Sequence, residues 1–142
     1  MQDKYSDKYS LEHSMIGYLG IELISEEEGL VKAKMPVNEK TSQPFGVLCG
    51  GASLAFAEII AGYGSFLYCG ENEIPVGSSV SGNHISSVKT GDDVWVYADA
   101  KCLHHGRRTH IWNVDIFNKD EKLISTVRVT NFIVEDKSKS WK

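Results

Sequence analysis

From Thr41 to Gly70 the chain runs for thirty residues with a single charged side chain, Glu58. That segment differs from everything around it and limits the folds available. Residues 52–68 read as one helix, with Gly50-Gly51 as the turn into it and Gln43-Pro44-Phe45-Gly46 as a loop before it. Leu54, Ala55, Phe56, Ala57, Ile59, Ile60 and Ala61 leave this helix no polar face, and a helix apolar all round is buried all round. The rest of the chain has to wrap it.

Most of that remainder reads as strand. Val94, Val96, Ala98, Ala100 and Cys102 alternate with Trp95, Tyr97, Asp99 and Lys101, the period of two expected of a strand. Residues 111–117 and 123–134 behave alike, joined by Asn118-Lys119-Asp120-Glu121-Lys122, a hairpin turn in composition. Residues 76–88 give a further strand. Ahead of the helix, residues 21–24 and 30–35 flank Glu26-Glu27-Glu28-Gly29, a turn between two strands. Residues 10–16 suit a short helix capped by Ser10 and ended by Gly17, and residues 135–142 read as a frayed tail. Two strands, one long helix and about four antiparallel strands make an α+β arrangement, one curled sheet around one helix. A chain of 142 residues fits a single domain spanning 1–142.

Composition removes several function classes. Fifteen Lys and Arg against nineteen Asp and Glu give a net charge of -4, so the electropositive surface that nucleic acid needs is missing. Three cysteines without a CxxC pair point to a reducing, cytoplasmic setting, and away from disulfides and zinc. His104 and His105 are sequential and would face opposite sides of a strand, so no metal is expected there. The first residues are polar and no long uncharged apolar run occurs, which leaves no membrane segment.

A carboxylate two turns inside an apolar helix loses solvation, and burial would raise its pKa. Glu58 therefore reads either as a general base or nucleophile, or as a structural acid paired with Lys101, Arg107 or Arg108. Gly50 and Gly51 start the helix, where unpaired N–H groups and the positive dipole end favour an oxyanion; taken alone they read better as a tight turn permitting close helix approach. Glu58 is eight residues beyond Gly50, roughly 12 Å along the helix, too far for both to act on one carbonyl. Two antiparallel helices of a homodimer would bring Gly50 of one chain opposite Glu58 of the other, in two symmetric sites.

The run Gln43-Pro44-Phe45-Gly46-Val47-Leu48-Cys49-Gly50-Gly51-Ala52-Ser53, followed by Glu58, resembles the hotdog-fold thioesterases, in the group with the phenylacetate-pathway and dihydroxynaphthoyl-CoA thioesterases. Asn83-His84-Ile85-Ser86-Ser87-Val88-Lys89 and Leu103-His104-His105-Gly106-Arg107 are also similar to that family. The resemblance implies a hotdog fold and hydrolysis of an acyl-CoA thioester without a cofactor, in a homodimer or homotetramer. Glu58 would be the nucleophile or base, with the Gly50 N–H and the Gln43 side chain holding the thioester oxygen. Cys49, Gly51, Asn83, His84 and Ser86 would line the substrate site, and Arg107, with Lys89, would meet the phosphates or adenine end of CoA. Ser86-Ser87 stand where the family often carries Arg-Pro, and two further departures stand out: Cys49 replaces the family's usual His, and Gly62 replaces a frequent hydroxyl residue. They leave open a catalytically impaired acyl-CoA-binding protein. A hydratase of the same fold would need a His paired with an acid, and His84 looks badly placed for that.

Overall fold

In the computed structural model, which describes residues 10–137, the elements run α1 (Met15–Leu19), β1 (Glu22–Glu27), β2 (Leu30–Pro36), α2 (Gly50–Tyr68), β3 (Glu73–His84), β4 (Trp95–His105), β5 (Thr109–Phe117) and β6 (Leu123–Glu135). The six strands form one sheet in the order β1-β2-β4-β5-β6-β3, with every neighbouring pair antiparallel. The expected sequence of two strands, one long helix and four strands is therefore present.

Alternation fixes the inner face of the sheet. Val31, Ala33 and Met35 of β2, Val96, Ala98 and Ala100 of β4, and Trp112, Val114 and Ile116 of β5 are all buried. They pack with Phe56, Ala57, Ile60, Ala61 and Tyr63 of α2 in one apolar cluster. Trp112 approaches the helix so closely that a Cβ on Gly64 would come within 2.5 Å of its ring.

Three expectations need correction. The short helix is shifted to Met15–Leu19, with Ser14 before it and Gly20 after it at φ 73, because a left-handed terminating residue is available at Gly20. Of the tail, residues 138–142 lie outside the described residues, while residue 135 still belongs to β6. Most important, α2 is covered on one side only. Gly51 and Glu58 are exposed and Ala55 and Gly62 half-buried, and their spacing puts all four on one stripe. The helix has apolar residues on both sides, and its own sheet reaches just one of them.

The last strand in the chain's spatial order, β3, is an edge. Among the described residues it pairs with β6 alone, and it is exposed over most of its twelve residues. Its free edge runs beside the open stripe of α2, since Gly77 of β3 lies against Glu58.

Candidate active site

The helix start supplies one half of a site. Cys49 caps α2 without a side-chain hydrogen bond, and no acceptor among the described residues takes the Gly50 or Gly51 N–H. The His84 imidazole lies directly over Gly50, with Nε2 about 2.5 Å from where a Gly50 Cβ would be. Its Nδ1 is 2.8 Å from Ser125 Oγ, which fixes the ring. Gly50, His84, Ser86 and Ser125 line a cavity of about 290 Å³ together with Leu48 and Ser53. It contains unpaired donors at a helix N-terminus next to an imidazole, an arrangement suited to negative charge developing on an oxygen.

Glu58 is in a second cavity, also of about 290 Å³. Its carboxylate rests on the backbone of Gly77, in the space that a Cβ there would occupy. Apart from Asn131, the other residues around it are apolar or glycine, among them Ile59, Phe66 and Ile74. Glu58 has no ion-pair partner among the described residues, so the pairing with Lys101, Arg107 or Arg108 is not met. The expected burial is not met either: within one chain the carboxylate is exposed, because it belongs to the uncovered stripe of α2.

The remaining expected residues scatter. Ser86 joins His84 and Gly50. Asn83 faces the opposite side of β3, in a depression with Asn113, Thr126 and Arg128, as the alternation of a strand requires. Gln43 is half-buried in the loop before α2, paired through its backbone with Val47 and Gly46, and its side chain is not part of the Gly50 cavity lining. Cys49 is half-buried with a free thiol. Lys89 bridges Val47 near the start of α2, whereas Arg107 lies in the β4–β5 turn. That turn packs at the far end of the helix, where His105 stacks on Tyr68 with centroids 3.9 Å apart. Lys89 and Arg107 are thus at opposite ends of a helix about 28 Å long.

Below the Glu58 cavity is a closed polar cluster. Ser65 Oγ is 2.8 Å from Trp112 Nε1, 3.0 Å from Asn131 Nδ2 and 2.8 Å from His110 Nδ1. The indole and amide donate, which occupies both oxygen lone pairs, so the Ser65 hydroxyl proton goes to His110 Nδ1. His110 is then neutral. Burial pushes its pKa down, helped by His105 and His104 and opposed by Glu73.

The model of the thioesterase superfamily matches residues 45–125. That span contains Gly50, Glu58 and His84. The chain belongs to the thioesterase superfamily. The 1,4-dihydroxy-2-naphthoyl-CoA hydrolase of Escherichia coli is 34% identical over 123 residues, covering 87% of this chain and 88% of that one. The proofreading thioesterase EntH of Klebsiella pneumoniae is 34% identical, covering 84% and 85%. A solved thioesterase from Haemophilus influenzae superposes with a TM-score of 0.82 at 35% identity, covering 89% of this chain and 87% of that one. Two solved variants of a Staphylococcus aureus relative replace a glutamine and a glutamate fifteen positions apart, the separation of Gln43 and Glu58 here.

As a thioesterase, this enzyme carries four residues near its two half-sites that sequence reasoning did not single out: Gly77, Ser125, Ser65 and Asn131. Gly77 had a signal, since a glycine inside a strand marks a close approach. The others had none, because each acts through a contact between residues far apart in the chain.

Proposed function

We propose that two copies of this chain form a homodimer that hydrolyses an acyl-CoA thioester to free acid and CoA. Each active site then joins the Gly50 half of one subunit to the Glu58 half of the other. The observation that carries this is the division of the machinery: oxyanion donors and carboxylate occupy separate cavities along one helix. Neither half is complete, and both flank the one face of α2 that the sheet leaves open. The β3 edge beside that face offers unpaired backbone groups to a second copy. A twofold axis there would lay the two helices antiparallel and generate two equal sites.

In this reading the thioester carbonyl oxygen points at the Gly50 N–H, with His84 and Gln43 near it. Glu58 of the partner subunit delivers the attack or activates the water that does. Closing the interface would also exclude water from Glu58, giving the carboxylate the buried setting that one chain alone does not. Lys89 and Arg107, at opposite ends within one subunit, would come together across the same interface to meet the CoA phosphates. The chain works as one domain in a reducing, cytoplasmic setting.

The test is CoA release from a panel of aromatic and medium-chain acyl-CoAs. Glu58→Ala should lower kcat by about a hundredfold or more. A Glu58→Ala enzyme at the wild-type rate sinks the assignment. Cys49→His addresses the binding-protein reading: a handicapped enzyme should gain rate, whereas a non-catalytic binder should not.

A further inference from the structure

We propose that Asn131 is a catalytic residue of this thioesterase: its side-chain oxygen and the Glu58 carboxylate together hold the water that attacks the thioester carbon. The inference rests on the hydrolase reading above and decides what that reading leaves open, whether Glu58 is a base or a nucleophile.

Position comes first. Asn131 of β6 is paired with Gly77 of β3, and Gly77 is the residue whose backbone the Glu58 carboxylate rests on. Residues directly opposite in an antiparallel pair have Cα atoms about 5 Å apart. Asn131 therefore rises from the inner face of the sheet one strand away from the carboxylate, and both line the same cavity. No other described residue lining that cavity has a polar side chain.

Orientation follows from the cluster beneath. Asn131 is 1% exposed, and its Nδ2 is committed to Ser65 Oγ at 3.0 Å. Ser65 is itself pinned by Trp112 and His110. The Asn131 side-chain oxygen makes no hydrogen bond to any described residue, yet no fully enclosed side-chain polar atom among them lacks a partner. The oxygen is accordingly the part of Asn131 that reaches the cavity surface.

Two acceptors facing a cavity that is otherwise apolar suit one water, which needs at least two polar partners to stay in place. Its two protons go to Glu58 and Asn131, and an oxygen lone pair is left for the carbonyl. The water oxygen forms a bond to the thioester carbon while Glu58 takes one proton. The tetrahedral oxyanion collapses, the C–S bond breaks, and the CoA sulfur leaves with that proton from Glu58. The proton held by Asn131 stays on the product acid. Glu58 is thus the general base and forms no covalent intermediate.

The test has two arms. With enzyme in excess over acyl-CoA in ¹⁸O-water, a single turnover should place ¹⁸O in the product acid and none in the Glu58 peptide by mass spectrometry. Label on Glu58 overturns the proposal. In steady state, Asn131→Leu should lower kcat by about tenfold or more for the lost water contact, with KM within about twofold. Asn131→Asp keeps an acceptor on the cavity and should recover most of kcat. Its added negative charge should also move the acid limb of the pH profile to higher pH, which a merely structural role would not do. A kcat for Asn131→Leu within twofold of wild type overturns the role of Asn131 and leaves the hydrolase reading standing. Should Asn131→Leu fail to fold, the label experiment and Asn131→Asp decide. Wild-type protein that hydrolyses no member of the panel overturns both.

Discussion

The Glu58 carboxylate occupies the space where residue 77 would carry a Cβ, so the acid and the strand beneath it fit only because that residue is glycine. Gly77 does not have a positive φ, and alanine there is compatible with the backbone. Gly77→Ala should therefore leave the fold intact but push the carboxylate aside. A misplacement of this kind costs about a hundredfold in kcat, while Tm should stay within a few degrees. Kinetics alongside a melting curve separate the two effects; unchanged kcat would show that Glu58 is not working from this position.

His84 is the second aligned group. Ser125 Oγ, 2.8 Å from its Nδ1, holds the ring over Gly50 with Nε2 toward the helix start. Removing that hydroxyl costs one neutral hydrogen bond, so Ser125→Ala should lower kcat/KM by roughly fivefold to tenfold. His84→Ala should lower it further. An unaffected Ser125→Ala enzyme would mean that the imidazole is held by packing alone.

Glu58 was legible because a lone charge in a long uncharged run has few explanations, and the strands because Val96, Ala98 and Ala100 alternate so regularly with polar neighbours. The exposure of Glu58 was not. An apolar helix face records that something must cover it, but not whether that cover is the chain's own sheet. Nor was the support around the acid legible. His84 and Ser125 are 41 positions apart, and Ser65 and Asn131 66 apart; no local period records such a pair. Asn83 and His84 looked alike as neighbours in sequence, and only the strand shows that they serve opposite faces.

The Ser65 cluster makes a prediction about stability. Ser65→Ala strands the Trp112 and Asn131 donors and leaves His110 Nδ1 without its proton donor. The cost should be about 3 kcal/mol, a fall in Tm of roughly 10 °C for a chain of this size. Calorimetry checks it, and a loss below about 1 kcal/mol would mean that the cluster rearranges freely.

The same cluster should make stability depend on pH. Burial, with His105 and His104 adding to it, holds the folded His110 pKa below its ordinary 6.5. In the window between the lowered folded value and 6.5, the unfolded chain binds more protons than the folded one, and stability rises with pH. It should be complete above that window and lost as the pH falls toward the folded value. Denaturant titrations from about pH 5 to 8 measure the slope, which should flatten in His110→Gln. Equal slopes in both proteins would remove His110 as the cause.

If the two half-sites come from different subunits, two inactive variants should repair each other. Glu58→Ala destroys one half and His84→Ala the other. In a mixed dimer one site receives both lesions and its twin receives neither. Refolding the two variants together at equal amounts gives about half mixed dimers, so about a quarter of all sites should be intact. Measured hydrolysis should approach that fraction of wild type, while each variant refolded alone stays low. A site built within a single chain predicts the opposite, because no chain in the mixture carries both residues. A mixture no more active than its components, with mixed dimers verified by mass spectrometry, would place Glu58 and His84 in separate sites or within one chain.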